Sequence, residues 1–170
     1  MPGPVLVVDY DPSWPSLYEA ERKRILEAVG DKILSIEHVG STAVPGLGAK
    51  PIIDVIAGVG SKGVADECVG LLKPVGYTDV TPEDGPEWFY CLGRGPHSVG
   101  YHLHLVLEGS PFQRKHVTFR DYLRGHPETA AEYHELKRRL SIKYRENRIA
   151  YTESKTEFIE TVLERARGGA

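Results

Sequence analysis

Ile36-Glu-His-Val-Gly-Ser-Thr-Ala-Val-Pro-Gly-Leu-Gly-Ala-Lys-Pro-Ile-Ile-Asp-Val55 reads as strand, polar turn and strand. Ile33, Leu34 and Ile36 make a short apolar strand, Gly40-Ser41-Thr42 breaks it, and Ile52 to Val59 makes a second strand bounded by Pro51 and Gly60. Small residues at the break let backbone N–H groups approach an anion closely. Along the second strand, Ile53, Val55, Ala57 and Val59 form one wholly apolar face, and Ile52, Asp54, Ile56 and Gly58 form the other. Asp54 therefore points away from the main core. A carboxylate in so apolar a strand needs a cation, a donor network or an open cleft. The bland alternative is an ion pair with Lys50 or Arg94.

The flanking elements follow from periodicity. A helix opens near Ser13-Trp14-Pro15, with Ser13 as its cap and Leu17, Tyr18, Ile25 and Val29 on its apolar stripe, and ends near Gly30. A second helix spans Ser61 to Lys73. Strands are expected at Tyr77–Thr81, Trp88–Leu92 and Val99–Leu107, with Pro82-Glu-Asp-Gly-Pro86 as a turn. From Ser110-Pro111 the period becomes helical. One helix carries Phe112, Lys115, Phe119, Tyr122 and Leu123 to Gly125, a longer one opens at His126-Pro127 and runs through Tyr144, and a last one carries Phe158, Ile159, Val162 and Leu163. The order is a mixed sheet followed by a helical half, an α+β class, with a ligand cleft expected between the two.

In Val99-Gly-Tyr-His-Leu-His-Leu-Val-Leu107, Tyr101, Leu103, Leu105 and Leu107 share one face, so His102 and His104 share the other. If this strand neighbours that of Asp54, one acid and two imidazoles meet, with His38 at the end of the first strand as a further candidate. Such imidazoles suit zinc or manganese, a general-base role, or donation to a phosphate. The alternative is two polar histidines on a half-exposed strand. Lys50 and Arg94 are further anion-binding candidates. Arg120 and Arg124, at i, i+4 spacing, read as ordinary helix-surface charges, and Lys137-Arg-Arg139 as a solvated basic face. Tyr151 and Lys155 resemble the tyrosine–lysine pair of short-chain dehydrogenases, but no Gly-x-Gly-x-x-Gly turn accompanies them. Trp88, Tyr90 and Tyr101 are candidates to stack on a base, and equally core residues.

The run HVGSTAVPGLGAKPIID from His38 to Asp54 closely resembles the signature of the GrpB family, and so do Tyr10-Asp-Pro-Ser-Trp14, Phe119-Arg-Asp-Tyr-Leu-Arg-Gly-His-Pro127 and Tyr151-Thr-Glu-Ser-Lys-Thr-Glu-Phe158. The resemblance spans nearly the whole chain. It implies a nucleotidyltransferase-like mixed sheet flanked by helices, in which a Gly-Ser turn holds a triphosphate and carboxylates on neighbouring strands hold magnesium. Gly40, Ser41, Thr42, Lys50 and Arg94 would then bind substrate. Asp54, His102 and His104 would bind a divalent metal (magnesium, manganese or zinc) and carry the chemistry. One departure stands out. The superfamily places a second acid two residues after the first, and here that position is Ile56.

The resulting expectation is metal-dependent transfer of a nucleotidyl group to a small acceptor. The alternatives are a catalytically inert nucleotide- or coenzyme A-binding module, and a metal-dependent hydrolase or ligase using Asp54 with His102 and His104. Residues 1–170 suffice for one core, and their 41% hydrophobic content implies a single domain. A net charge of −3, from 21 basic and 24 acidic residues interspersed, gives no footprint for nucleic acid or an anionic membrane. Cys68 and Cys91 are too few for a disulfide scaffold, and no secretory leader or long apolar run is present, so a cytoplasmic location is expected. The sequence carries no signal for an oligomeric state.

Overall fold

The computed structural model describes residues 4–83, 89–95 and 99–168. Its elements are α1 (Trp14–Val29), β1 (Ser35–Val39), β2 (Ile52–Val59), α2 (Lys62–Leu72), β3 (Thr78–Asp79), β4 (Tyr90–Arg94), β5 (Gly100–Leu107), α3 (Pro111–Gly125), α4 (Pro127–Lys143), α5 (Arg148–Glu153) and α6 (Thr156–Gly168). The five strands form one mixed sheet in the order β1-β2-β5-β4-β3. β2 and β5 run parallel at its centre, and the other pairings are antiparallel.

The alternating face of β2 behaves as its sequence demands. Ile53, Val55, Ala57 and Val59 are fully buried with Leu103, Leu105, Trp14, Ile25, Cys68 and Leu72, so α1 and α2 cover this face of the sheet. Burial of each large side chain contributes about 1.5–3 kcal/mol. The opposite face is covered only in part. Ile56, Val39 and Val106 pack against Phe112 of α3. Beyond them, Val44 and Leu47 of the β1–β2 connection pack with Leu123, Ala130 and Tyr133 of α3 and α4. The Asp54 end of the second face is left open between the sheet and the helical half.

Helix ends follow local chemistry. Ser61 Oγ accepts from the Val64 N–H at 3.2 Å and Ser110 Oγ from the Gln113 N–H at 3.4 Å, opening α2 and α3. Ser13 does not cap α1 as expected. Asp11 Oδ1 accepts its backbone N–H at 2.8 Å instead, and Pro15 sets the first turn. β1 begins at Ser35, later than the apolar pair Ile33-Leu34 implied. β3 is only two residues long, and the expected turn overlaps residues outside those described. The helical half also contains α5, which the periodicity did not foreshadow. Asn147 opens it by accepting the Ala150 N–H at 3.0 Å, which starts a new helix soon after α4.

Candidate functional site

The centre of the open region is set by two strand registers. Asp54 lies opposite His102 across the parallel β2–β5 pair and opposite Val39 across β1–β2. His102 Nδ1 stands 3.8 Å from Asp54 Oδ1, and the Asp54 side chain is 33% exposed. Gly40 follows Val39 with φ 76°, a conformation in which a side chain is strained. A Cβ there would come within 2.6 Å of Asp54 Oδ2, so the glycine both turns the chain and leaves room for the carboxylate.

Around this centre is a cavity of about 330 Å³ whose walls include Gly40, Ser41, Thr42, Lys50, Asp54, His102 and His104. These are the substrate and metal candidates read from the sequence, with one exception. Arg94 does not reach the cavity. It is opposite Tyr101 in the β4–β5 register, which turns it to the α1 face. There its guanidinium lies 4.5 Å from the centre of the Tyr101 ring, and its Nε donates to Glu21 Oε1 at 2.9 Å. Glu21 is 2% exposed and also accepts the Tyr77 hydroxyl at 2.6 Å, so Arg94 neutralises a buried acid of the core. Alternation also takes His38 out of the metal group. It shares the core side with Val55, with its Nε2 2.9 Å from Thr42 Oγ1 and its ring edge-on to Tyr18. Burial lowers its pKa to about 4.

The helical half supplies groups that the sequence reading set aside. Lys137 of α4, read as part of a solvated face, is 2% exposed and lines the cavity, with Nζ 2.7 Å from Ser41 Oγ and bonded to the Gly48 carbonyl. Burial, then Lys155 and Lys50, lowers its pKa to about 6. Tyr151 and Lys155, from α5 and the turn after it, line the same space. Burial and then Lys50 lower Lys155 to about 8, against the attraction of Asp54. Lys50 is itself lowered, mainly by burial. Lys115 and Arg148 complete the cationic side, His116 also lines it, and Phe119, Tyr133 and Ile159 give it an apolar wall. The missed signal was spacing: Lys137 lies one helical turn after buried Tyr133, so the same face that packs must carry it inward.

Arg120 and Arg124 are not a joint anion site. Arg120 binds Glu37 and donates to the His38 carbonyl at 3.0 Å, and Arg124 donates to the Ala43 carbonyl at 2.9 Å. They hold β1 and its turn against α3. Of the proposed stacking residues, Tyr90 donates to Asp66 at 2.6 Å, Tyr101 lies under Arg94, and Trp88 is outside the described residues.

Burial pushes His104 down to about 4, opposed by Asp54, so its imidazole is neutral at pH 7. Among the described residues, however, no three His, Cys, Asp or Glu side chains are grouped so as to hold an ion. Ile56, at the position of the second acid, is fully buried beneath α3. Among the described lining of the cavity the acid is Asp54, beside His102 and His104. It fits an ion that arrives with phosphates, because magnesium is commonly held by one or two carboxylates plus substrate oxygens.

The sheet order, the turn after β1 and the flanking helices define an α+β protein with a nucleotidyltransferase-like mixed sheet. Residues 4–165 match the family model described as GrpB protein, and the chain belongs to the GrpB family. It is 33% identical over 165 residues to the glutamate-rich protein GrpB of Alkalihalophilus pseudofirmus, covering 95% of each chain. It is 33% identical over 163 residues to the UPF0157 protein YqkA of Bacillus subtilis, where 96% of this chain spans only 47% of that one, about half its length. The crystal structure of GrpB from Enterococcus faecalis superposes with a TM-score of 0.85 at 29% identity, covering 95% of this chain and 96% of that one. Cid1, solved in complex with its short product ApU, matches with a TM-score of 0.51 at 11% identity over 77% of this chain and 40% of that one, a likeness of fold alone. Among the described residues no helix is long and apolar enough to cross a membrane.

Proposed function

We propose that the cavity binds a nucleotide or related phosphate compound, and that the protein transfers a nucleotidyl group from it to a small acceptor with a divalent ion carried in by the phosphates. The observation that supports this reading best is the charge of the walls. Lys50, Lys137, Arg148 and Lys155 line the cavity together with the Gly40-Ser41-Thr42 turn, as does Lys115, whose Nζ is 3.5 Å from Glu160, against Asp54 as the acid of the lining. Burial first, and the neighbouring lysines second, hold Lys137 and Lys155 below the usual lysine range, and a bound polyanion would relieve the part that is repulsion.

Ser41 and Lys137 would contact the terminal phosphates, and Lys50 and Lys155 those nearer Asp54. Asp54 would hold the ion, which neutralises charge developing on the transferred phosphorus. His102 stands beside that carboxylate as the base for the acceptor hydroxyl. Phe119 and Tyr151 offer the apolar surface against which a base would stack.

A second reading has its own observation. Ile56 is sealed in the core, so the two-carboxylate arrangement of the superfamily is missing, which favours a protein that binds nucleotide without turnover. Thermal-shift titration of the purified protein with ATP, CTP, GTP, UTP and coenzyme A, each with magnesium, manganese or zinc, tests both. A ligand that binds only the folded state raises the melting temperature in proportion to the logarithm of its excess over Kd. A metal-dependent shift lost in Asp54→Ala supports the transferase site. A metal-independent shift retained in that variant leaves the binding module. No shift with any of them rejects the nucleotide reading.

A further inference from the structure

Three lysines of the cavity are seated by neutral groups. Lys50 and Lys155 lie over the Tyr151 ring, with Nζ 5.5 and 4.3 Å from its centre. Lys137 Nζ donates to Ser41 Oγ at 2.7 Å and to the Gly48 carbonyl. Among the described residues none of the three has a carboxylate within ion-pair distance, and Asp54 attracts Lys50 and Lys155 from beyond it. A ring face, a hydroxyl and a carbonyl steady an ammonium group without cancelling its charge. That charge is left for whatever enters the cavity. A lysine meets an anion as a compact point charge on a flexible stem, so any phosphate oxygen serves it equally.

Ser41, Thr42 and His116 are committed to the protein itself. Ser41 gives its own proton to the Tyr133 hydroxyl. Thr42 Oγ1 donates to the Ile52 carbonyl at 3.3 Å and lies 2.9 Å from His38 Nε2, and His116 Nδ1 donates to the Phe112 carbonyl at 2.9 Å. Toward a base, the described lining offers the rings of Phe119 and Tyr151 and the aliphatic Ile159. Rings stack on any base, because every base has a π-face. Strong discrimination between bases takes polar groups that the wrong base leaves unpaired, and apolar walls supply little of it.

We propose, building on nucleotide binding in this cavity, that the site reads the triphosphate chain and not the base, taking any nucleoside triphosphate and inorganic triphosphate as well. The chain lies between Ser41 and Tyr151 against Lys137, Lys50 and Lys155. The nucleoside adds stacking and apolar contact, which strengthen binding without selecting a base.

The test is calorimetric titration of the folded protein, at one pH and one salt concentration, with ATP, CTP, GTP, UTP and inorganic triphosphate, each with magnesium. Dissociation constants of the four nucleotides are expected within about tenfold of one another, and that of inorganic triphosphate within about a hundredfold of theirs, the span that stacking accounts for. Lys50→Met and Lys155→Met should weaken all five ligands by a common factor, and Phe119→Ala should weaken the nucleotides alone. Melting curves establish that each variant is folded. A wider spread among the nucleotides, a weaker inorganic triphosphate, or lysine variants that affect one nucleotide and spare the others overturns the proposal and leaves nucleotide binding intact. Binding of inorganic triphosphate with no nucleotide bound rejects the nucleotide reading and upholds recognition of the chain, and silence of all five rejects both.

Discussion

His102 and Asp54 face each other across the central parallel strands, with Nδ1 and Oδ1 3.8 Å apart. Because the carboxylate is partly exposed rather than buried in the core, Asp54→Ala should leave the melting temperature within a few degrees of wild type. The same variant should lose metal-dependent stabilisation by nucleoside triphosphates. A calorimetric titration with MgATP on both proteins checks the second half, and equal affinities would remove Asp54 from the ion site.

Gly40→Ala should be costly in two ways. It places a Cβ at positive φ, and that Cβ would come within 2.6 Å of Asp54 Oδ2. A destabilisation of about 1–3 kcal/mol is expected in urea melts. Ligand affinity should fall further than stability, because the turn and the carboxylate are displaced together.

Lys137 sets a stability slope. Its pKa is about 6 in the folded chain against 10.5 for the free side chain, so between those values the unfolded chain binds the extra proton. Stability from this group therefore rises with pH from about 6 and is lost as pH falls towards it. Lys137→Met should flatten that slope and raise the melting temperature at pH 7 by a few degrees. Melting curves of both proteins from pH 6 to 9 check the prediction, and an equal slope in the variant would remove Lys137 as its source.

Anion binding should run the other way. Only the charged lysines attract a phosphate, and in the free protein Lys137 and Lys155 lose their protons above about 6 and about 8. Affinity for inorganic triphosphate should weaken as pH rises through that window. Flat affinity from pH 6 to 9 would separate these lysines from the ligand.

Arg94→Met is expected to cost stability and spare binding. It leaves Glu21, 2% exposed, with only the longer 3.6 Å pairing to Arg24, and loss of a close partner from a buried pair costs up to about 3–5 kcal/mol. Nucleotide affinity measured on protein that remains folded should stay within about twofold of wild type, because the residue lies on the far face of the sheet. A large loss of affinity at retained stability would return Arg94 to the site.

Much of the fold was legible because it depends on local rules. The β2 strand ran from Ile52 to Val59 as its alternation required, and the helix stops at Gly30 and Gly125 came from residues that end helices. The site was half legible for the same reason. Asp54, His102 and His104 share a strand face by simple parity, and pairing of β2 with β5 brings them together. Arg94 was misplaced because the strand was expected to end at Leu92, whereas β4 runs on to Arg94 and its pairing with Tyr101 turns that side chain to the α1 face. Lys137 and Lys155 were set aside because a lysine in a charged helix gives no sign of burial until the facing element is in place.

By itself, the sequence determined most of the elements, α5 excepted, the glycine turn, the two faces of β2, and membership of a family with a nucleotidyltransferase-like sheet. Those are consequences of backbone geometry and apolar periodicity, which act over a few residues. Only the tertiary structure decided the electrostatics of the cavity. Lys137 loses its solvation because α4 packs Tyr133 and Ala130 against Val44 and Leu47, a contact between segments distant in sequence. Burial of a charge depends on everything around it, so the chemistry of that amine emerges only when the helical half closes over the sheet.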